Sequence, residues 1–583
     1  MKKLHEQRAR YKKFTTCLLV AYTFISCPFA KPTLTAPQAN TSATNLDSSE
    51  PNCVIKPPKL TIIMIGDQFA YDYIRKLRKH FKYGLKKLLD NGICYENAYH
   101  AHGLPSTAPG HVALSTGTLP KNHSIIANKW LNKDREEISF NTPEQVMVDG
   151  LSDQCVMSST PESQCHVISL SLKKRSAMAT ANKLGKALWF KGESGGFQSN
   201  EYYFKTLPEW VKKLNRENNK NSAQEVIWRT FYPENSIEYI FPLIKNYDYA
   251  ALKHKLINFP IILGQKSERK DKKHKNNTHI NNSNKSYDNG ALPSTGKELF
   301  TMTPFASQLL FQAAQKCIDK TLKNKPNDSL VLWVCISNLD MIGHLYGPDS
   351  QEAIDLIYHL DKQIDDFMNI VLTKFDAKDV LFALTADHGV QPIQEITKLK
   401  GLDQAYRIDA QALIKAMNVR ITQKYRINNL VQKFSNVYFV LDHAKLNKLN
   451  KKTRKSILHD LKQYLLNQPG IRHVWTKKEL EKAHFEPYEK ETYYKNQLYN
   501  DKPGDLIYMP QPYSLITEYK TGTSHRTPYD YDTHVPLILY GHNLKHKIIR
   551  KRVLAAQLPV TLAHLLGVAH PSASNLTILP GVC

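Results

Sequence analysis

The segment Leu104-Pro-Ser-Thr-Ala-Pro-Gly-His111 presents two adjacent hydroxyls, Ser106 and Thr107, on a stretch stiffened by Pro105 and Pro109. A hydroxyl is a poor nucleophile near neutral pH until a base or a metal ion lowers its pKa. Candidate activators occur in three further places with one grammar: an apolar, β-branched run that reads as a buried strand, then carboxylate and imidazole where the run stops. Leu60 to Ile65 runs into Asp67; Leu330 to Ile336 runs into Asp340, with His344 four residues on; Val380 to Leu384 runs into Asp387 and His388. A fourth imidazole, His534, sits just before the apolar run Val535 to Tyr540. Mixed carboxylate and imidazole sets suit zinc, and these six residues, with Thr107 as a further oxygen, exceed what one tetrahedral ion needs. Two Zn2+ are therefore expected. A dinuclear site fits phosphoryl transfer, one ion activating the nucleophile and the other stabilising the departing oxygen.

Open α/β sheets build sites at the carboxyl ends of their strands, where loops and helix N-termini converge. The order strand, Asp340/His344, helix, strand, Asp387/His388 predicts a βαβ unit that delivers both ligand sets to one sheet edge. Its crossover is an amphipathic helix over Ser350 to Lys374, capped by Asp349 or Ser350, with Ile354, Ile357, Ile364, Phe367, Met368 and Val371 on one face. A second helical pattern spans Tyr71 to Leu89 and stops at Asp90-Asn-Gly92. The nucleophile segment leads into a helix start at His111 to Thr116, which would set its hydroxyls near backbone amides suited to an oxyanion. His111, His123 and His525 are expected to support the site rather than ligate, as are Asp72 and Asp532. The fold class is α/β: a central, mostly parallel sheet with helices on both faces and inserted accessory segments.

The chain has 583 residues, 42% of them hydrophobic, enough for a large core, and a formal net charge of +26. A basic field attracts polyanions. Much of this charge sits in the N-terminal leader and in Lys266 to Lys275, with neither a zinc-knuckle spacing nor a stacking platform, so no specific nucleic-acid partner is expected. Residues 1–30, basic to Lys13 and apolar from Phe14 to Ala30, read as a signal peptide, the apolar run being shorter than the ~20 residues a membrane span prefers. Export to the periplasm, the cell surface or the medium is the expected fate; an uncleaved leader or a lipidated Cys27 would tether the protein to the membrane. Residues 31–58 form a disordered linker rich in Thr, Ser, Pro and Asn, and the catalytic domain spans 59–583. Within it, 198–310 reads as an insertion holding a disordered basic tract at 266–290, and 391–511 as a second insertion. Cys155 and Cys165 bracket a short loop and are the pair expected to form a disulfide in an exported protein, whereas Cys335 lies in a strand as core.

Taken in chain order, these motifs resemble the alkaline phosphatase superfamily and, within it, the phosphate-irrepressible, PafA-type monoesterases, over most of Lys59 to Tyr540. The resemblance implies that Asp67 in Ile65-Gly-Asp-Gln-Phe69, Asp387 and His388 hold one zinc together with the nucleophile, Thr107. It implies that Asp340 and His344 in Asp-Met-Ile-Gly-His hold the leaving-group zinc, completed by His534 in Tyr531-Asp-Thr-His-Val-Pro536. Asn128 in Ala127-Asn-Lys-Trp130 resembles the family's phosphate-binding Asn, and Lys173 and Arg175 in Leu172-Lys-Lys-Arg175 resemble its Lys-x-Arg pair. Thr107, Asn128, Lys173 and Arg175 are thus the implied catalytic set, the last three binding substrate. Cationic and amide donors suit the three non-bridging oxygens of a monoester dianion. The implied activity is that of a zinc-dependent alkaline phosphatase acting on small-molecule phosphate monoesters through a phosphothreonine intermediate. The alternative is a phosphodiesterase or nucleotide pyrophosphatase on the same scaffold; a non-catalytic basic binder of polyanions is a third reading.

Overall fold

Seven consecutive buried residues, Leu60–Gly66, form strand β1 near the middle of a nine-stranded sheet. A run apolar on both faces can only be a strand covered from both sides. The computed structural model describes residues 56–582 apart from 133, 222–225, 240–258, 264–298, 436 and 500–503. The leader, Cys27, most of the linker and the tract at 266–290 lie outside the described residues. The remaining strands of the sheet are β2 (Ile93–Tyr95), β3 (Cys165–Ser171), β4 (Lys186–Lys191), β5 (Gly196–Gln198), β6 (Ser329–Ile336), β7 (Val380–Thr385), β8 (Leu537–Gly541) and β9 (Lys547–Ile549). Their order is β9-β2-β8-β7-β1-β6-β3-β4-β5.

The neighbours β7, β1, β6, β3 and β4 all run parallel, with Gly66 opposite Ile336 and Ile65 opposite Thr385. Their carboxyl ends therefore finish side by side, and the sheet is mostly parallel as the strand pattern predicts. Helix α1 (Thr107–Thr116) begins at Thr107, earlier than expected, because Pro109 falls in the first turn, where its missing N–H has no intrahelical partner to lose. Helices α2 (Leu151–Met157), α3 (Lys174–Ala181), α4 (Asn338–Tyr346) and α5 (Gln351–Lys374) complete the frame of the site. Helix α5 is the crossover between β6 and β7; Ser350 caps it, accepting from Ala353 N at 3.2 Å, and the predicted apolar face is buried.

The pattern over Tyr71 to Leu89 is not one helix. It is Tyr71–Leu77, a 3-10 turn at Arg78–His80, and Gly84–Asn91. The buried carboxylate of Asp361 on α5 takes the amides of Lys82 (2.9 Å), Tyr83 (3.1 Å) and Leu85 (2.7 Å), which starts the second helix afresh. Asp355 on the same helix accepts from Trp228 Nε1 and Phe231 N at 2.6 Å and from Tyr239 OH at 2.5 Å, pinning the described part of the first accessory region.

A separate four-stranded sheet is built from Val431–Ser435, Tyr438–Leu441, Leu506–Pro510 and Ile471–Thr476. Its core is continuous with Leu104, Ala108 and Val112 of the nucleophile segment, so this accessory sheet and α1 share one apolar cluster. Among the described residues no helix is long and apolar enough to cross a membrane.

Candidate active site

Three carboxylates arrive from three adjacent strand ends. Asp67 follows β1, Asp340 lies in the first turn of α4 after β6, and Asp387 follows β7, each fully buried. Burying so much negative charge is costly unless cations meet it. Lys173, just after β3, places its ammonium 2.9 Å from Asp67 Oδ2 and also pairs with Asp340 Oδ2. Burial and the charge of Asp387 push the Asp67 carboxyl up, whereas for Asp340 the nearby Lys173 and His344 outweigh burial and hold it well below the usual range.

The imidazoles are oriented by a shared device. His344 Nδ1 donates to Thr523 O (2.9 Å), His388 Nδ1 to Gly389 O (2.9 Å) and His525 Nδ1 to Pro105 O (2.7 Å). A carbonyl can only accept, so each ring carries its proton on Nδ1 and turns the Nε2 lone pair inward, as a ligand must. His344 Nε2 lies 3.2 Å from Asp340 Oδ1, His388 Nε2 lies 3.3 Å from Asp67 Oδ1, and the His388 and His525 rings stack at 3.8 Å. None of these three Nε2 atoms has a hydrogen-bond partner. Two groups result whose donor atoms lie within 4.8 Å of one another: Asp67, Asp387 and His388, and Asp340, His388 and His525. Buried carboxylate donors gathered this closely with three imidazole Nε2 atoms that lack a hydrogen-bond partner fit divalent cations.

His534, expected as a ligand, lies outside both groups and is corrected to His525. It starts a two-residue strand, His534–Val535, paired with Ala98–Tyr99. Strand alternation buries Val535 and sends the His534 ring the other way, between Tyr71 and Tyr99 at 4.3 and 4.4 Å, with Nε2 donating to Glu96 O at 2.7 Å. His525, read from sequence as a supporting group, sits in an irregular loop with no apolar strand leading into it, so the strand-end grammar passes over it. Gln68 was also missed. Held at φ +70°, it donates through Nε2 to Asp340 Oδ1 (2.6 Å) and through its amide to Asp387 Oδ1 (3.2 Å), linking the two groups. A Cβ on Gly343 would stand 1.7 Å from Gln68 Oε1, so a larger residue there would displace the Gln68 carboxamide.

Thr107 is the first residue of α1, and its Oγ1 is buried without a hydrogen-bond partner. Ser106 caps the helix and turns its Oγ towards Leu104 O at 3.4 Å. His111, one turn on, donates to Thr107 O (2.8 Å) and lies 3.0 Å from Asp387 Oδ2; burial opposes its charge, but Asp387 outweighs that and raises its pKa well above the ordinary imidazole value. A Cβ on Gly110 would lie 2.2 Å from Asp387 O, a measure of how closely α1 abuts the ligand loop. Asn128 Oδ1 accepts from Ala108 N at 2.8 Å, holding the start of the helix from the other side. Arg175 stands in the first turn of α3, two residues from Lys173, and is half-buried.

Of the remaining expected supports, Asp532 accepts from Thr527 N (2.9 Å) and Oγ1 (2.7 Å), bracing the loop after His525. His123 accepts from Ile125 N through Nδ1 at 3.1 Å. Asp72 is corrected: it is half-buried and pairs with Arg75 and Lys76, on the face of its helix opposite Tyr73, Ile74 and Leu77. A cavity of about 240 Å³ opens beside the site, lined by Asn128, His525 and Arg526 together with Phe434 and Tyr508 of the accessory sheet.

A mostly parallel α/β sheet whose strand ends gather two residue groups able to hold cations, next to a helix that starts at the buried Thr107, frames this candidate active site. The chain belongs to the type I phosphodiesterase / nucleotide pyrophosphatase family, whose model matches residues 61–535. The PafA-type resemblance within the alkaline phosphatase superfamily holds over the same body. Alkaline phosphatase PafA of Elizabethkingia meningoseptica is 26% identical over 573 residues, covering 90% of this chain and 94% of that protein. Alkaline phosphatase PhoV of Synechococcus elongatus is 25% identical, covering 89% and 91%. The crystal structure of wild-type PafA superposes with a TM-score of 0.75 at 22% identity, covering 91% of this chain and 99% of that one, which shows the shared fold.

Proposed function

We propose that the protein is an exported, zinc-dependent phosphatase that hydrolyses small-molecule phosphate monoesters through a phosphothreonine at Thr107. The observation that carries the reading is the buried, unpartnered Thr107 hydroxyl at the N-terminus of α1, the helix whose Gly110 and His111 meet Asp387 of a group able to hold a cation. Zinc suits the donor set; held by Asp67, Asp387 and His388 and by Asp340, His344 and His525, two ions would supply Lewis acidity to the attacking and departing oxygens.

The chain's own residues do the rest. Thr107 Oγ1 attacks phosphorus as the ester P–O bond breaks, and the α1 amides favour the negative charge gathered there. Lys173 and Arg175 offer charge to the non-bridging oxygens, and Asn128, whose carboxamide oxygen accepts from Ala108 N, stands beside the nucleophile's helix as an amide donor for them. Water then attacks the phosphothreonine, releasing phosphate and restoring Thr107. The leaving alcohol has room in the 240 Å³ cavity between Asn128 and Tyr508.

The description of the family model favours a second reading, a phosphodiesterase. Purified protein assayed on a monoester and a diester, with Lys173→Ala and Arg175→Ala alongside, separates the two: the monoesterase loses monoester turnover in both variants. A strong diester preference untouched by those changes would overturn it. A non-catalytic polyanion binder would show no turnover and no response to chelator and zinc. Export rests on residues 1–30 and is tested by fractionation with and without them.

A further inference from the structure

We propose that Cys155 and Cys165 form a disulfide, and that Cys165 is the thiol through which it is made and broken. The two residues stand at either end of the turn joining α2 to β3. Ser158 Oγ donates to the Cys155 carbonyl (2.8 Å), and the Cys165 amide donates to Ser159 Oγ (3.0 Å), so two consecutive serines tether both cysteine backbones. Thr160 N donates to Ser163 O at 2.9 Å and closes the turn between them. The two thiols are both reduced in the structure and perturb each other: Cys155 lowers the pKa of Cys165, while Cys165 and burial push Cys155 well up. Cys155 is fully buried. Cys165 is half-buried on the wall of a cavity of about 360 Å³, with Ser159, His166, Leu184 and Trp210. A half-buried thiol on a cavity wall, with its partner fully buried at the other side of the same turn, is the arrangement of an attacking and a resolving cysteine.

The oxidant is a disulfide, oxidised glutathione or an oxidised thiol–disulfide oxidoreductase. Cys165 loses its proton and attacks one oxidant sulfur, forming a mixed disulfide and expelling the other sulfur as thiolate. Cys155 then loses its proton and attacks Cys165 Sγ, forming the intramolecular bond and expelling the second thiolate. Two electrons pass to the oxidant, and the two released protons neutralise the expelled thiolates. The bond would brace α2, which in turn holds the far end of α3: Ser152 Oγ donates to Thr180 O (2.5 Å), and Asp153 Oδ1 accepts from Lys183 N (2.9 Å) and Leu184 N (2.8 Å). Lys173 and Arg175 stand at the other end of that helix.

The test equilibrates the full-length protein with oxidised or reduced glutathione, alkylates free thiols, digests without reduction and weighs the peptides. Oxidised protein should yield a linked 155/165 peptide pair that disappears on reduction, and its Tm should exceed that of the reduced protein by ~2–3 °C, the effect of closing a short loop in a chain of this size. Cys155→Ser should trap a glutathione adduct on Cys165, whereas Cys165→Ser should leave Cys155 unmodified. Free thiols at both positions after excess oxidised glutathione would overturn the cross-link. An adduct of equal yield on Cys155 in Cys165→Ser would overturn the assignment of Cys165 as the attacking group. All readouts are masses and melting temperatures, so the outcome is independent of phosphatase activity.

Discussion

Gly110→Ala probes the register between nucleophile and ligands most directly. Gly110 lies three residues beyond Thr107 in the first turn of α1, and a Cβ there would meet Asp387 O at 2.2 Å and the Asp387 carbonyl carbon at 2.9 Å. Ordinary contact requires about 3.5 Å, so roughly 1 Å of separation must open between α1 and the loop that carries Asp387 and His388. Both neighbours are backbone atoms and cannot rotate aside. Alanine favours the helix by ~1 kcal/mol over glycine, whereas overpacking costs ~1–3 kcal/mol, so the net loss of stability is only ~0–2 kcal/mol. Activity should suffer more, because a misplacement of about 1 Å costs on the order of 100-fold, equivalent to ~2.7 kcal/mol of barrier. The assay is kcat/KM on p-nitrophenyl phosphate beside Tm and metal content. A folded variant whose kcat/KM stays within about threefold of wild type would refute the claim that this contact sets the position of Thr107.

Three further outcomes are expected. His525→Ala should lower bound zinc and cut turnover by at least the ~10–100-fold typical of disturbed metal shells, while His534→Ala keeps both; the reverse pattern, read by metal analysis, would reinstate His534. Thr107→Ala should abolish turnover and the acid-stable phosphoprotein, Thr107→Ser should retain part of each, and Ser106→Ala should cost little, all read by trapping labelled phosphate. Burial raises the Glu352 carboxyl from 4.5 to about 7 in the folded state. The folded chain therefore keeps a proton that the unfolded chain gives up as pH rises from 4.5 to 7, and Glu352 subtracts up to about 3 kcal/mol of stability across that window. Glu352→Gln should accordingly gain in Tm relative to wild type at pH 8 but not at pH 4.5, and parallel melting curves would count against it.

Much of the site was legible because strand ends leave a linear trace. Asp67, Asp340 and Asp387 each follow an apolar run, and a parallel sheet places such ends together whatever lies between them in sequence. His344 was marked by its place four residues beyond Asp340, although the helix that carries both appeared only in the structure, and the cap and buried face of α5 followed from its period. Legibility ended where position depends on contacts between distant segments. The second helix is restarted by the carboxylate of Asp361, 279 residues beyond Lys82 and 276 beyond Leu85, and no local period reports it.

The histidine that completes the second group marks the same divide. Sequence by itself determined that carboxylates and imidazoles punctuate the strands of an α/β sheet beside a proline-stiffened hydroxyl, since residue type and periodicity are local properties. Only the tertiary structure decided between His525 and His534. Alternation in a two-residue strand turns His534 towards Tyr71 and Tyr99, while a bond from His525 Nδ1 to Pro105 O, across 420 residues, aims Nε2 inward. A side chain's direction in an irregular loop is set by the partner that holds it, and that partner is known only once the chain has folded.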